Sequence, residues 1–232
     1  MNALVVIPTY NERENLRPLL EGILSHPGTR VLVVDDQSPD GTGDVAKRLA
    51  TEWPGRIDVL VRTGRKGFGR SLLEGLSRAI SSNAELVFQM DADLSHDPKY
   101  LSEMASAARQ ADLVIGSRYL TGISVVNWPL RRVMLSTFAN RYIRTVTRLS
   151  VRDCTSGYRC WRREALARLP MDRIGSEGYS FLVEMLYLAQ RAGCRITESP
   201  IIFVERRQGE SKMSPRVMWE SAITPWRLRL RG

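Results

Sequence analysis

Along the first half of the chain, short apolar runs alternate with stretches whose apolar residues recur every three or four positions. "ALVVIP", "RVLVVDD", "RIDVLVR", "ELVFQM" and "ADLVIGS" have the length and continuity of buried strands. Between the first two lies "NERENLRPLLEGILSH", where Leu16, Leu19, Leu20, Ile23 and Leu24 fall on one helical face. "SPDGTGDVAKRLATEW" opens with helix-start chemistry, "TGRKGFGRSLLEGLSRAIS" is a glycine-rich loop feeding a helix, and "DPKYLSEMASAARQ" is a further helix. Continuous apolar strands separated by helices predict an α/β fold. The expectation is a Rossmann-like, mostly parallel sheet with helices on both faces, in a single domain spanning 1–232. In such sheets ligands gather at the carboxyl ends of the strands.

The second half is less regular. "PLRRVMLSTFANRYIRTVTRL" predicts an amphipathic helix, with Leu135, Phe138, Ala139, Tyr142, Val146 and Leu149 on one face and Arg141, Arg144 and Arg148 opposite. "GYSFLVEMLYLAQRAG" predicts a buried helix ending at Gly193, and "RITESPIIFVER" a final strand interrupted at Pro200. At the end of the sequence Trp219, Ala222, Ile223, Trp226 and Leu230 would share a face on an unbroken helix, but Pro225 is expected to kink or split it. No repeat or low-complexity linker marks a domain boundary.

Composition adds little until it is divided along the chain. The 232 residues are 43% hydrophobic and 25% charged, ordinary for a globular protein. The net charge of +9 is unevenly spread: residues 1–126 carry 14 basic and 16 acidic side chains, whereas 127–163 carry nine arginines and one aspartate. Residues 205–232 add a further +4. Basic segments of this kind favour an anionic partner. Cys154, Cys160 and Cys194 are too few and too scattered for a disulfide framework or a zinc site, so reduced thiols and a cytoplasmic setting are expected. The N-terminal apolar run Ala3–Ile7 is strand-length rather than leader-like, and no run reaches the ~18 apolar residues of a membrane span. A soluble or peripheral protein is the expectation.

The strand ends hold the candidate chemistry. Thr9 to Glu12, Asp35-Asp36, Gly64 to Gly67, Asp91-Ala92-Asp93 and Ser117-Arg118 should line one rim crowded with carboxylates and cations. Two aspartates one residue apart repel each other, and their desolvation is costly. A hard cation, Mg2+ or Mn2+, would resolve this, since it favours carboxylate oxygen and shares its shell with substrate phosphates. One of Asp91 and Asp93 would reach the metal and the other a ribose or sugar hydroxyl. A competing reading is an acidic helix cap, with Ser95 or Asp97 capping the helix that begins at Pro98; a phosphatase-type aspartyl nucleophile is a further one. His96 is read as a solvated neighbour at a helix start rather than a ligand or base. "GRKGFGR" lacks the spacing of a P-loop or a dinucleotide fingerprint and is read as a loop over a nucleotide.

Several stretches resemble a known family. "VVIPTYNERENL", "VVDDQSPDGT", "DADLSHDP", "GSRY", "TSGYRCWRREAL" and "ERRQGESKM" occur in the order and spacing of the dolichyl- or polyprenyl-phosphate mannosyltransferases of glycosyltransferase family 2. The resemblance covers nearly the whole chain and implies a glycosyltransferase A-type fold. It implies that Pro8, Tyr10, Glu12, Val33 and Asp35 hold the nucleoside of GDP-mannose, and that Asp91, Ala92 and Asp93 meet ribose, metal and diphosphate. It places metal on Asp91 and Asp93, and acceptor phosphate on Arg118, Arg132 and Ser136. Arg206 and Lys212 would come from a mobile loop closing over the diphosphate, making Asp93, Arg118, Arg206 and Lys212 the catalytic set. Some members carry Gln at the position of Ser95, so metal coordination by the shorter Ser95 stays open. The resemblance thus divides the chain into a nucleotide-sugar half at 1–126, an acceptor half at 127–204, and a loop with a basic amphipathic tail at 205–232.

Chemistry agrees with that assignment. A lipid monophosphate acceptor has a second pKa near ~6 and is already a nucleophilic anion at neutral pH, so no general base is required. Arginines, with Arg131 and Arg132 the candidates, must offset its repulsion from an anionic donor. A polyprenyl acceptor takes the enzyme to a membrane. The helix around Phe138 and the Trp-bearing tail are the candidate contacts, peripheral at the cytoplasmic face, and a membrane-anchoring partner protein is a possible addition. The alternative donor is UDP-glucose or another sugar nucleotide. Nucleic acid is not expected, because the arginine segments lack interleaved aromatics and the rim is acidic.

Overall fold

The computed structural model describes residues 1–176, 178–205 and 215–231. Each apolar run of the first half forms a strand, and each periodic stretch a helix. The order is β1 (Ala3–Thr9), α1 (Arg13–Leu24), β2 (Thr29–Asp35), α2 (Thr42–Glu52), β3 (Ile57–Val61), α3 (Phe68–Ile80) and β4 (Leu86–Gln89). A 3-10 turn at Pro98–Tyr100 leads into α4 (Leu101–Ala107) and β5 (Leu113–Ser117). Then follow β6 (Val125–Val126), α5 (Leu130–Thr147), β7 (Arg159–Arg162), α6 (Arg163–Ala167), α7 (Gly178–Arg191), β8 (Ile196–Pro200), β9 (Phe203–Val204) and α8 (Pro215–Arg231).

Seven strands form one sheet in the order β3-β2-β1-β4-β7-β5-β8, parallel except for β7. The inner strands β1, β2, β4 and β5 are buried on both faces, whereas the edge strands β3 and β8 are only partly covered. One face packs Val5, Ile7 and Val33 against Leu16, Leu20 and Leu49 of α1 and α2, and the other packs Val6, Val34 and Val87 against Leu72 and Leu76 of α3 and Phe181 of α7. The expected single-domain α/β sheet is therefore present.

The second half departs from the apolar pattern in four places. Strand β7 has no counterpart in the apolar pattern, because four residues with an arginine at each end, "RCWR", do not read as strand. It nevertheless inserts antiparallel between β4 and β5, so the residues before it arrive at the same rim as the residues after β4. The final strand is interrupted at Pro200 as expected, but its two pieces part company: β8 joins the large sheet, whereas β9 pairs with β6 in a separate two-stranded ribbon. Helix α5 turns Asn140, Ile143 and Thr147 inward rather than Leu135 and Phe138. The cause is polar: Asn140 Oδ1 accepts from the Cys154 N–H at 2.7 Å, and its Nδ2 donates to Thr155 Oγ1 and the Ser136 carbonyl. At the other end, α8 continues through Pro225 as one helix.

Gly75 fixes how closely α3 lies on the sheet. A Cβ there would sit 2.5 Å from Val6 Cγ1 and 2.8 Å from Val34 Cγ2. Both neighbours are β-branched and fully buried on central strands, so neither yields easily. Alanine ordinarily gains about 1 kcal/mol over glycine inside a helix, but overpacking costs about 1–3 kcal/mol and outweighs it. Gly75→Ala is expected to lower unfolding stability in urea; an unchanged midpoint would show that the α3–sheet spacing is adjustable.

Candidate active site

The carboxyl ends of β1, β2, β4 and β5 open into one cleft of about 1590 Å3. Its first wall is built where β1 turns into α1. Pro8, Thr9, Tyr10 and Glu12 line it, with Asn11 in the left-handed region at φ 62° to make the corner. The glycine-rich loop faces this wall: Lys66 lies 4.8 Å from the Tyr10 ring centre and donates to the Gln37 carbonyl, while Gly67 N–H donates to Asp36 Oδ2 at 2.7 Å. Lys66, Gly67 and Phe68 line the cleft, as expected of a loop over a nucleotide.

The acidic pair after β2 is neutralised within the protein. Asp36 is ion-paired with buried Arg62, which also donates to Glu74 and Ser71. Asp35 accepts from Thr9 Oγ1, from Ser38 Oγ at 2.6 Å and from the Ser38 N–H. Among the residues expected around the nucleoside, Pro8, Tyr10 and Glu12 reach the cleft, but Val33 and Asp35 do not line it. Val33 is inside the sheet core, and the Asp35 carboxylate is turned into the turn that follows it.

At the tip of β4, Asp91, Ala92 and Asp93 all line the cleft. The capping role belongs to Asp97, whose Oδ1 accepts from the Lys99 N–H at 2.9 Å. Asp91 and Asp93 are not used for it. Asp93 Oδ1 instead accepts from the Ser95 N–H and hydroxyl, at 3.1 and 2.5 Å, across a turn in which Leu94 takes φ 63°. The Ser95 hydroxyl is thereby directed at Asp93. Gly157 packs beside Asp91, where a Cβ would make ordinary contact with the carboxylate at 3.4 Å. Among the described residues no cluster of three or more His, Cys, Asp or Glu side chains forms a complete metal cage. Two carboxylates on an open cleft are the donor set that suits Mg2+ or Mn2+, which takes its remaining ligands from water and substrate phosphate.

His96 is not the solvated neighbour expected. It is buried, its Nδ1 accepts from the Asp91 N–H at 3.0 Å, and its ring lies 5.0 Å from Tyr158 and 5.5 Å from Phe203. This hydrogen bond requires the proton on Nε2. Burial pushes the imidazole down to about 4, against the opposing charge of Asp93.

The opposite wall carries arginines. Arg118 follows β5 and grips fully buried Asp153 with Nε and Nη2, both at 2.7 Å, while Nη2 also donates to Thr155 Oγ1. Burial alone would raise the Asp153 carboxyl, but Arg118 holds it below its ordinary value. The Arg118 guanidinium lies over Tyr119, Trp128 and Phe203 at 5.4 to 5.6 Å. Arg132 stacks on Trp128 at 4.1 Å and is ion-paired with Glu205. Ser136, one turn along α5, accepts from the Tyr119 hydroxyl at 2.7 Å. Arg118, Arg132 and Ser136 thus share one wall of the cleft. Arg206 and Lys212 lie outside the described residues. Sequence reading assigned no role to Trp128 or Asp153, nor to the Thr155-Ser156-Gly157 turn that opens the "TSGYRCWRREAL" stretch; for Asp153 the available signal was its place as the lone acid among nine arginines.

Beyond this wall the cleft becomes apolar. It runs between α5 and α8, past Leu135, Phe138, Ala139 and Ile143 on one side and Ala222 and Pro225 on the other. The Tyr142 hydroxyl ties the two helices by donating to the Ala222 carbonyl at 2.6 Å.

The sequence profile described as Glycosyl transferase family 2 matches residues 4–169. The chain belongs to this family. It is 45% identical over 235 residues to the undecaprenyl-phosphate mannosyltransferase of Micrococcus luteus, covering 100% of this chain and 96% of that protein. It is 43% identical over 231 residues to the polyprenol monophosphomannose synthase of Mycolicibacterium smegmatis, covering 97% and 87% respectively. Among solved structures, glucosyl-3-phosphoglycerate synthase of Mycobacterium tuberculosis, in complex with Mn2+, UDP and glucosyl-3-phosphoglycerate, is 18% identical with a TM-score of 0.69, covering 98% of this chain and 79% of that one. That likeness establishes the shared fold. As a family 2 glycosyltransferase the chain is an enzyme, and its cleft is the place to look for donor and acceptor.

His96 makes stability depend on pH. The fold holds the neutral ring, so the unfolded chain, with an ordinary value of 6.5, takes up a proton before the folded one does at about 4. Stability is complete above 6.5 and lost as pH falls toward 4, by on the order of 3 kcal/mol at most. Urea unfolding of wild type should weaken across this window, and His96→Asn should flatten the dependence. Equal slopes in the two proteins would assign the acid sensitivity elsewhere.

Proposed function

We propose that the enzyme transfers mannose from GDP-mannose to a polyprenyl, dolichyl-type monophosphate with inversion, releasing GDP. One observation carries this reading: a single cleft joins the Asp91–Asp93 tip to the Arg118–Arg132 wall and then to an apolar groove between α5 and α8. A water-soluble acceptor would not need that groove. Two relatives above 40% identity that are named for mannosyl transfer to polyprenyl phosphates support it.

In this reading the half at 1–126 binds the donor. Tyr10, Glu12 and the Lys66–Phe68 loop enclose the nucleoside, and Asp91 and Asp93 face its diphosphate. Mg2+ or Mn2+ bound by these two carboxylates would supply positive charge to the leaving diphosphate. The half at 127–204 binds the acceptor. Arg118 and Arg132 offset the repulsion between two anions, and Ser136 and Tyr119 add hydroxyls to the phosphate site. The acceptor phosphate oxygen attacks the anomeric carbon from the side opposite the diphosphate, and the electron pair of the breaking bond leaves with GDP. Arg206 and Lys212 are proposed to meet the charge that develops on the leaving group.

The same groove gives a reason for peripheral membrane binding. Leu130, Met134 and Phe138 on α5 and Trp219, Trp226 and Leu230 on α8 are exposed, Phe138 by 69% and Trp219 by 71%. Arg131, Arg141, Arg144, Arg227 and Arg229 are exposed on the same two helices, and each cation near an anionic surface adds about 1 kcal/mol. Among the described residues no helix is long and apolar enough to cross a membrane. With three free, buried cysteines suiting a reducing compartment, the proposed setting is the cytoplasmic face, where a membrane-anchoring partner would share this surface.

Radiolabelled GDP-mannose should pass label to a lipid phosphate in the presence of Mn2+, chelator should stop it, and Asp93→Ala should reduce turnover by at least about a hundredfold with the fold intact. Label entering lipid only from UDP-glucose would overturn the mannose assignment; full activity of Asp93→Ala would remove that carboxylate from the metal site. Separately, Met134→Asp with Phe138→Asp should abolish co-sedimentation with anionic vesicles, and undiminished binding would move the membrane face elsewhere.

A further inference from the structure

Arg132 is one of the two arginines that the proposed function gives to the acceptor phosphate, and its guanidinium is already engaged. It is ion-paired with Glu205 and stacked 4.1 Å over the Trp128 ring. Arg132 lines the cleft, and the two side chains are 31% and 32% exposed, so the pair is open to solvent. Glu205 is anchored beside it: its backbone N–H donates to the Val126 carbonyl, just after β9 pairs with β6. The neighbouring pair is of a different kind. Arg118 and Asp153 are 9% and 0% exposed and joined at two points, as part of the wall itself. One arginine–carboxylate pair is structural, and the other is exchangeable.

We infer that Glu205 is a built-in competitor for Arg132. Its carboxylate holds the guanidinium in the absence of acceptor, yields it to the acceptor phosphate, and reclaims it once product has formed. This rests on the proposed function. The acceptor is a phosphate monoester with close to two negative charges at neutral pH, against one on Glu205. In the reaction a phosphate oxygen forms a bond to the anomeric carbon. The bond from that carbon to the diphosphate breaks, and its electron pair departs with GDP. The lipid phosphate is then a diester with a single charge. Its hold on Arg132 drops to that of a carboxylate, and Glu205, tethered nearby, has the higher effective concentration. Glu205 lowers substrate and product affinity by the same factor, which keeps product from accumulating on the enzyme. It acts through Arg132 and is a positioning residue.

The test is Glu205→Gln in the intact chain, assayed with GDP-mannose, Mn2+ and a short-chain polyprenyl phosphate in detergent. The KM for lipid phosphate and the inhibition constant of the mannosylated lipid should fall together, by about five- to tenfold. The KM for GDP-mannose should not move, and kcat should fall as release slows. Glu205→Asp, which keeps the charge, should stay near wild type. A rise in both lipid constants would mean that Glu205 orients Arg132 for phosphate, and unchanged constants would mean no competition; either result overturns the inference alone. A wild-type chain that mannosylates no lipid phosphate would overturn the functional reading, and this inference with it.

Discussion

Carboxylates gathered at the rim of a buried sheet must be neutralised before the fold can close around them. Asp36 is held by Arg62, and Asp153 by Arg118, with all four side chains nearly or fully inaccessible. Removing one member of such a pair leaves a buried charge and costs about 3–5 kcal/mol. These pairs therefore act as fixed posts. Arg62 and Asp36 pin the loop from Gly64 to Gly67 beside the β1 end of the cleft, and Asp153 pins Arg118 at the β5 end. Asp91, Asp93 and Arg132 line the same cleft, between these posts.

The second post depends on strand β7 running against its neighbours. Its direction delivers Thr155, Ser156 and Gly157 to the rim between Asp91 and Arg118. Arg159, the first residue of the strand, is fully buried and clamps this turn from behind by donating to the Ser156 and Cys154 carbonyls. Burial pushes its guanidinium down to about 10, which still leaves it charged at neutral pH. Asn140 of α5 holds the same turn from the other side. A short strand, a buried arginine and an inward asparagine thus join α5 to the rim of the sheet.

The cleft crosses from a charged environment to an apolar one over the width of a single helix. Arg132 and Ser136 face the rim, whereas Leu135, Phe138 and Ala139, on the same two turns, face the groove. Helix α8 completes that groove by burying Thr224, Pro225 and Leu228 and leaving Trp219, Trp226 and Leu230 outward. The outward stripe is the one that periodicity picked out. It is directed away from the core because the inward positions of both helices are filled by other residues.

Reading along the chain was enough for the βα units of the first half, the rim they create and the acidic tip of β4. Each of these follows from local periodicity and from the rule that parallel strands end together. The motif resemblance singled out Arg118 and Arg132, and both line the cleft. Pairing was not legible. Neither the choice of Arg62 for Asp36, nor of Asp153 for Arg118, nor of Glu205 for Arg132 has a local signal, since the partners lie 26, 35 and 73 positions apart. The place of β7 was hidden for the same reason: four residues with arginines at both ends become a strand only when β4 and β5 offer free edges. Spacing along the chain determined which groups could reach the rim, because parallel strands end together; long-range electrostatics and packing decided which partner each one takes there, because those partners are distant in sequence.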